Sequence, residues 1–188
     1  MSNPLKVALI GNPNTGKTSI FNALTGLRQK VGNYPGITVE KKTGSCSLGP
    51  SLSATIYDLP GTYSLNTTSL DESVAVEILL NRRDPDFPDV VVVIADVENL
   101  KRNLLLFTQI KDLGLRTVLV INMSDRMKRL GIEIDVPALE SSLDTRIALL
   151  SSRNDTGIED LKAILSDYQS ISDQSSLDIT EVDKTYFE

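Results

Sequence analysis

The chain has 188 residues, a formal net charge of −6, no histidine and a single cysteine, Cys46. This length, with 40% hydrophobic residues, is enough for one compact domain with a full core. Without histidine and a second cysteine, the chain cannot form a Ser-His-Asp triad, a His/Cys zinc site, an iron–sulfur cluster or an internal disulfide. The acidic balance argues against general binding to nucleic acids or anionic membranes. Any catalysis must use hydroxyls, carboxylates, lysine, backbone amides or a hard metal ion.

Strand-like apolar runs alternate with helical patterns along the chain, which predicts an α/β fold. The predicted strands are Lys6–Ile10, Thr38–Ser47, Ser53–Tyr57, Val90–Ala95, Thr117–Ile121 and Ile147–Leu150. The predicted helices are Lys17–Leu24, Ser73–Asn81, Leu100–Leu113, Pro137–Leu143 and Ile158–Tyr168. The run Val90–Ile94 is apolar on both faces, as expected for a central parallel strand that is covered by helices on both sides.

The second and third predicted strands are joined by a link of four residues, Leu48-Gly49-Pro50-Ser51. This link is too short for a crossover helix, so the pair should form an antiparallel hairpin at one edge. The predicted architecture is therefore a doubly wound α/β domain with a mostly parallel six-stranded sheet, one antiparallel edge strand and helices on both faces.

Composition gives predictions for the two ends of the chain. The first apolar stretch, Leu5–Ile10, is short and contains Lys6, so no signal or transmembrane segment is predicted and the chain as given should be soluble. Residues 1–165 are predicted to form the folded domain. Residues 166–188 contain five serines, six acidic residues and one lysine, which favours a solvated tail or linker. The alternative is a short helix or strand that docks on the domain or leads into a further region.

Residues Gly11–Thr18 match the pattern G-x-x-x-x-G-K-[ST] and lie between a predicted strand and a predicted helix. Glycines allow backbone N–H groups to point at phosphates, and the following helix adds the positive end of its dipole. Lys17 is expected to reach the β- and γ-phosphates, and the Thr18 hydroxyl to ligate Mg²⁺. The candidate phosphate-binding residues are Gly11, Asn14, Thr15, Gly16, Lys17, Thr18 and Gly61.

The segment Asp58-Leu59-Pro60-Gly61 follows the predicted strand Ser53–Tyr57. Its carboxylate should lie beside the phosphate loop and support Mg²⁺ indirectly, while the Gly61 N–H turns towards a γ-phosphate. The segment would then order with a triphosphate and relax after hydrolysis. Alone, Asp-x-x-Gly is also a common turn.

A guanine-reading element, Asn-x-x-Asp, is matched by Asn122-Met123-Ser124-Asp125 after the strand Thr117–Ile121. Asp125 would accept from guanine N1–H and the 2-amino group, a donor pair that adenine lacks. Asn122 should brace the loop, and Met123 can supply apolar cover for the base. The alternative is a helix cap by Ser124 or Asp125. A weaker candidate is Ser151-Ser152-Arg153, which only partly matches the Ser-Ala-Lys that often lies near guanine O6 in such proteins.

Together these elements resemble a small GTPase domain of the translation-factor-related class over about residues 5–165. Within that class, the chain closely resembles the N-terminal cytosolic G domain of FeoB, the family of bacterial ferrous-iron transporters. The motifs that carry this resemblance are Gly11–Thr18, Asn33–Glu40, Asp58–Leu65 and Asn122–Asp125, with methionine inside the last one.

The resemblance implies further roles. Thr38 would ligate Mg²⁺ in the triphosphate state, and Gly32, Asn33 and Tyr34 would form the loop over the nucleotide. Asn14 would help to hold K⁺, which neutralises charge between the β- and γ-phosphates as an arginine finger does elsewhere. The implied catalytic groups are Lys17, Asn14, Thr38 and Gly61, and the implied switch residues are Gly32, Asn33, Tyr34, Thr38, Asp58, Gly61 and Thr62. Thr62 replaces the glutamine that positions water in many signalling GTPases, so turnover should be slow.

The resemblance also implies a setting. Family members continue into a helical domain and a membrane permease, so the chain would be part of a GTPase that drives or gates Fe²⁺ uptake at the cytoplasmic face of the inner membrane. Its ligands would be GTP/GDP, Mg²⁺ and K⁺, and no direct Fe²⁺ site is evident. One alternative is a ribosome- or tRNA-associated GTPase, but the densest basic cluster, Arg126, Lys128 and Arg129, is small. Another is a nucleotide-binding module that has lost useful catalysis.

Overall fold

Strands and helices alternate along the chain in the computed structural model, which describes residues 3–26, 29–34, 37–67, 69–154 and 156–175. Within these residues the strands are β1 (Leu5–Gly11), β2 (Gln29–Asn33), β3 (Glu40–Ser47), β4 (Ser53–Asp58), β5 (Val90–Asp96), β6 (Thr117–Asn122) and β7 (Arg146–Leu149). The α-helices are α1 (Lys17–Thr25), α2 (Leu70–Leu80), α3 (Leu100–Lys111), α4 (Met127–Leu130), α5 (Val136–Leu143) and α6 (Ile158–Ser166). Short 3-10 turns occur at Val97–Asn99, Ser124–Arg126 and Tyr168–Ser170. Across these ranges we find no helix with both the length and the apolar character that a membrane span needs.

The strands form one sheet in the order β2-β3-β4-β1-β5-β6-β7. All neighbours from β4 to β7 pair in parallel, whereas β3 is antiparallel to both β4 and β2. The predicted mostly parallel α/β sheet is confirmed, but it has seven strands in the described residues rather than six. The reversed strand also lies one position inside the edge, because β2 pairs outside it. The sequence QKVGN of β2 is polar and exposed, so it lacks the apolar alternation that marks a strand.

Two apolar clusters cover the two faces of the sheet. Helices α1 and α6 pack on one face, and α2, α3 and α5 pack on the other. The central strands β5 and β6 are buried along almost their whole length, as expected for parallel strands between two helical layers. Because parallel strands end at the same edge of a sheet, Gly11, Asp58, Asp96 and Asn122 come together there. The candidate site is built at this edge.

The described part of the predicted tail contacts the domain. Ile171 is buried in the cluster that covers α1 and α6. The Ser166 hydroxyl donates to the Leu48 carbonyl at 2.7 Å, and Arg116 forms an ion pair with Asp173 at 3.5 Å. Within residues 166–175, Ile171 is therefore docked on the domain, whereas residues 173–175 are exposed. The boundary at residue 165 stays a prediction, and residues 176–188 lie outside the described residues.

Candidate nucleotide-binding site

The phosphate loop, Gly11–Thr18, turns from β1 into α1. Two of its glycines are required by their surroundings. A Cβ on Gly11 would lie 2.5 Å from the Ile94 carbonyl oxygen, and one on Gly16 would lie 2.2 Å from Asn122 Nδ2. Gly16 also has a φ of +85°, which disfavours other residues. The first turn of α1 holds no acidic residue and no side-chain cap, so its N–H groups are available to an anion.

Beside this loop lies a cleft of about 260 Å³, whose lining includes Lys17, Thr18, Val39, Glu40 and Asp58. The Lys17 ammonium forms an ion pair with the buried Asp58 carboxylate inside this cleft. A second cleft, which shares Lys17 and Thr18 with the first, is also lined by Asn14 and Gly61, among others. The structure thus brings together the predicted phosphate-binding lysine, the hydroxyl and carboxylate suited to Mg²⁺, and the glycine of the second switch.

The second switch, defined as the segment Asp58–Leu65, lies against the phosphate loop. The Leu59 N–H donates to the Leu9 carbonyl at 3.0 Å, and the Thr62 N–H donates to the Gly11 carbonyl at 3.1 Å. The Thr62 side chain is fully buried, and its hydroxyl donates to the Ser64 carbonyl at 2.7 Å. This hydroxyl is therefore engaged in the turn and does not replace a water-positioning glutamine in this conformation.

The first switch is the segment 32–40, of which the structure describes residues 32–34 and 37–40. Gly32 and Asn33 are the exposed last residues of β2, while Tyr34 is only 6% exposed and packs into the cluster on the α2 and α3 face. Its ring centre lies 5.6 Å from Lys41 Nζ, and Lys41 forms an ion pair with Asp86. Tyr34 is therefore anchored in the core, and its role in a loop over the nucleotide stays a prediction.

The rest of the first switch is partly described. Thr38 is exposed and lies next to Val39, which is buried and lines the larger cleft. Pro35 and Gly36 of the predicted motif lie outside the described residues. The role of Thr38 as a Mg²⁺ ligand stays a prediction.

We expect Tyr34→Phe to leave the free energy of unfolding unchanged or to raise it by up to about 1 kcal/mol, because the buried Tyr34 hydroxyl has no hydrogen-bond partner. Burial, and then the charges of Asp86 and Asp58, raise the pKa of this hydroxyl, so it stays neutral. Tyr34→Ala should lower the free energy of unfolding by about 3–5 kcal/mol, since it removes a buried ring. Urea unfolding measures both, and a Phe variant as unstable as the Ala variant would contradict this account.

The predicted guanine-reading element, Asn122–Asp125, is joined to the phosphate loop through Asn122, whose side chain is fully buried. Asn122 Nδ2 donates to the Thr15 carbonyl at 2.9 Å and to the Ser152 hydroxyl at 3.2 Å. Its Oδ1 accepts from the Ser152 N–H at 3.1 Å. One amide therefore ties the phosphate loop to the loop after β7, consistent with the bracing role expected for Asn122.

The Asp125 carboxylate is exposed and accepts a hydrogen bond of 2.7 Å from the buried Ser151 hydroxyl. This bond lowers the pKa of Asp125, which keeps the carboxylate charged. Met123 adopts a left-handed backbone conformation, with φ of +63°. Arg153 is exposed, and its positive charge also lowers the pKa of Asp125. Neither the turn Ser124–Arg126 nor α4 has a side-chain cap, so the helix-cap alternative is not observed.

Residues 5–165 match the family model FeoB_N, which describes ferrous iron transport protein B. The chain belongs to the FeoB family. The Fe(2+) transporter FeoB of Leptospira biflexa is 43% identical over 171 residues, which are 91% of this chain and 24% of that protein. FeoB of Escherichia coli K12 is 42% identical over 169 residues, with 88% and 21% covered. The chain thus spans about a quarter or less of the length of these relatives.

Solved FeoB structures share the fold. The cytosolic domain of T. maritima FeoB in apo form superposes with a TM-score of 0.84 at 38% identity, covering 94% of this chain and 68% of that one. The G domain of T. maritima FeoB gives 0.80 at 38% identity, with 89% and 99% covered. A mutant of S. thermophilus NFeoB bound to GDP gives 0.78 at 37% identity, with 90% and 63% covered. These comparisons confirm the family resemblance and the small-GTPase-like fold.

The side chains at this FeoB site are suited to the ions that the family resemblance implies. The Thr18 hydroxyl and the Asp58 carboxylate line one cleft and are hard oxygen ligands, the kind that Mg²⁺ prefers. Asn14 is exposed at the adjacent cleft, with its amide oxygen available to a larger monovalent cation such as K⁺. The donor set is therefore compatible with both ions.

Two contacts on the second switch have no counterpart among the motifs. Arg102 lies over the Tyr63 ring, and Gln109 accepts a hydrogen bond from the Leu65 N–H. Both residues lie on α3, where the periodicity predicts a helix but does not indicate which neighbour its polar residues meet. Only the spacing of seven residues, which puts them on the same helix face, could have drawn attention to the pair.

Proposed function

We propose that this chain is the GTP-binding and GTP-hydrolysing switch domain of a ferrous-iron transporter, and that it drives or gates Fe²⁺ uptake by a permease in the same polypeptide at the cytoplasmic face of the inner membrane. The observation that carries the proposal is the Asn122 bridge, which ties the phosphate loop to the loop after β7. In that loop the Ser151 hydroxyl holds the Asp125 carboxylate. The GDP-bound state of the S. thermophilus relative supports it.

The chain binds phosphates with its own backbone and one lysine. N–H groups of the phosphate loop and of the first turn of α1 donate to phosphate oxygens. Lys17 now faces Asp58, so a phosphate must share or replace this carboxylate as the partner of the ammonium. Thr18 and Thr38 are the residues that would hold Mg²⁺, with Asp58 acting indirectly, Asn14 would hold K⁺, and both ions would supply positive charge to the phosphate oxygens.

Hydrolysis joins the oxygen of one water to the γ-phosphorus and breaks the bond to the β–γ bridging oxygen, which gives GDP, inorganic phosphate and a proton. The Gly61 N–H would donate to the γ-phosphate, and the presence of Gly61 in the lining of the cleft that holds Lys17 and Thr18 supports this role. Thr62 is buried and bonded within its turn, so water is not oriented by a side chain there. The reaction then relies on positioning and charge, and we propose that it is slow in the domain alone.

The test is a titration of the purified chain with GTP, GDP and ATP, followed by phosphate release. We expect GTP and GDP to bind and ATP to bind at least about a hundredfold more weakly, because adenine cannot satisfy Asp125. Equal affinity for ATP and GTP would contradict the proposal.

A second arm of this test addresses transport. The full-length protein in lipid vesicles should take up Fe²⁺ faster with GTP than without it, and Lys17→Ala should remove that stimulation because the phosphates lose their lysine. An equal rate of Fe²⁺ uptake with and without GTP would refute the coupling to the permease.

A further inference from the structure

We propose that helix α3 positions the second switch for GTP hydrolysis, and that Arg102 and Gln109 are the positioning residues. This inference rests on the proposed function and adds two residues to it. The supporting geometry is a pair of contacts from one rigid helix to two successive points of the switch.

The first contact joins Arg102 to Tyr63. The central guanidinium carbon lies 4.7 Å from the centre of the Tyr63 ring, within the range of a cation–π interaction. Tyr63 follows Gly61 by two residues and is 44% exposed, so little else covers its outer side. Arg102 therefore limits where this part of the switch can lie.

The second contact joins Gln109 to the backbone of the switch. Gln109 Oε1 accepts a hydrogen bond of 2.9 Å from the Leu65 N–H. Arg102 and Gln109 are seven residues apart on α3, or about two turns, so they occupy the same face of the helix. One face of the helix therefore contacts the switch at two points, Tyr63 and Leu65.

Helix α3 is itself fixed to the sheet. Leu106, Phe107 and Ile110 are fully buried, and the buried Asn103 accepts a hydrogen bond of 2.8 Å from the Asp96 N–H at the end of β5. On its other side the switch is held by the bond from the Thr62 N–H to the Gly11 carbonyl. The switch therefore contacts the phosphate loop on one side and α3 on the other.

An open space lies beside the switch at Tyr63. A polar cleft of about 190 Å³ separates the phosphate loop, Tyr63 and α3, and it is lined by Asn12, Asn14 and Arg102, among others. The switch has room to shift into this space if the contacts from α3 are removed. Such a shift would carry Gly61 away from Lys17 and Thr18, with which it now lines one cleft.

The expected effect is specific to the triphosphate. The Gly61 N–H has a partner only when a γ-phosphate is present, so a misplaced switch should weaken GTP binding and slow hydrolysis while GDP binding remains. Loss of a merely structural contact would instead weaken both nucleotides by destabilising the fold.

The experiment compares Arg102→Ala, Gln109→Met and the double variant in this chain. Gln109→Met keeps the shape but removes the acceptor, whereas Gln109→Glu and Arg102→Lys retain the acceptor and the cation. Lys101→Ala, an exposed change on the same helix, is the matched control. Single-turnover GTP hydrolysis at saturating nucleotide is measured together with the dissociation constants of GTP and GDP.

We expect the double variant to hydrolyse GTP about tenfold or more slowly and to bind GTP more weakly, with GDP affinity within about twofold. The conservative variants should retain most of the rate, and Lys101→Ala should retain all of it. An unchanged rate, or equal losses for GTP and GDP, would overturn the positioning role. Failure of the unaltered chain to bind any guanine nucleotide would instead overturn the proposed function, and this inference with it.

Discussion

Replacing Asp125 by Asn is expected to lower GTP affinity by about a hundredfold or more and to make xanthosine triphosphate the preferred ligand. The carboxylate accepts from two guanine donors, N1–H and the 2-amino group. Xanthine carries a carbonyl in place of the 2-amino group, and an asparagine amide supplies a donor for it. The change should therefore reverse specificity rather than abolish binding.

The structure supports a large effect because Asp125 is held charged and in place. Ser151 donates to its Oδ1 and lowers its pKa, so the carboxylate stays ionised through neutral and mildly acidic solution. A charged acceptor strengthens both hydrogen bonds to guanine. Guanine selectivity should accordingly persist as the pH falls towards the ordinary pKa of an aspartate.

Competition between GTP and xanthosine triphosphate measures the change directly. The matched control is Asp160→Asn, which makes the same charge change at an exposed position in the first turn of α6. This control should keep the preference for GTP. If Asp125→Asn also preferred GTP, Asp125 would not be the residue that reads the base.

K⁺ is expected to accelerate GTP hydrolysis over Na⁺ by about a hundredfold, and removal of the Asn14 amide should abolish most of that gain. The reason is that the described site has neither a water-positioning glutamine, since Thr62 takes that place, nor an evident arginine finger. Thr62 is buried and bonded to Ser64, while Asn14 is exposed at the cleft that contains Lys17 and Gly61. GDP affinity should change little.

The best variant for this test is Asn14→Gly. Asn14 has a φ of +68°, a conformation that glycine adopts freely and that alanine does not, so the glycine variant removes the amide without straining the loop. Asn14→Asp, which keeps an oxygen ligand, is the matched control. Hydrolysis rates are compared in K⁺ and Na⁺ buffers of equal ionic strength. Full acceleration in Asn14→Gly, or none in the unaltered chain, would refute the role of Asn14.

Local patterns predict the centre of this fold well. The apolar run of β5 predicts a buried strand, and the strand–loop–helix order around Gly16 predicts the phosphate loop. Each of these patterns is contained in a few neighbouring residues. Asn122, at the end of a buried strand, bonds to Thr15 and Ser152 and so connects two loops, as its motif predicts. Helix α2 begins three residues before the predicted start. Ser69 caps it by accepting from the Glu72 N–H at 3.2 Å, and Ser-x-x-Glu is the local signal for such a helix start.

Other features depend on partners that are distant in sequence. Strand β2 is polar and is held by backbone pairing with β3, from Gln29 opposite Gly44 to Asn33 opposite Glu40. Tyr34 is buried in the apolar cluster on the α2 and α3 face, beside the ion pair that Lys41 forms with the distant Asp86. Neither case has a periodic signature, since backbone pairing is independent of side-chain polarity and the burial of Tyr34 depends on long-range contacts.

The Asn122 bridge makes the two halves of the site thermodynamically dependent on each other. A ligand that orders the loop around Thr15 should also order Ser152 at the predicted base site, because one buried amide bonds to both. The first fragment to bind then carries most of the entropy cost of ordering these loops, and the second fragment binds to loops that are already ordered. Guanosine and pyrophosphate, added as separate molecules, should therefore bind with positive cooperativity, and the intact nucleotide should gain more than the sum of its two parts.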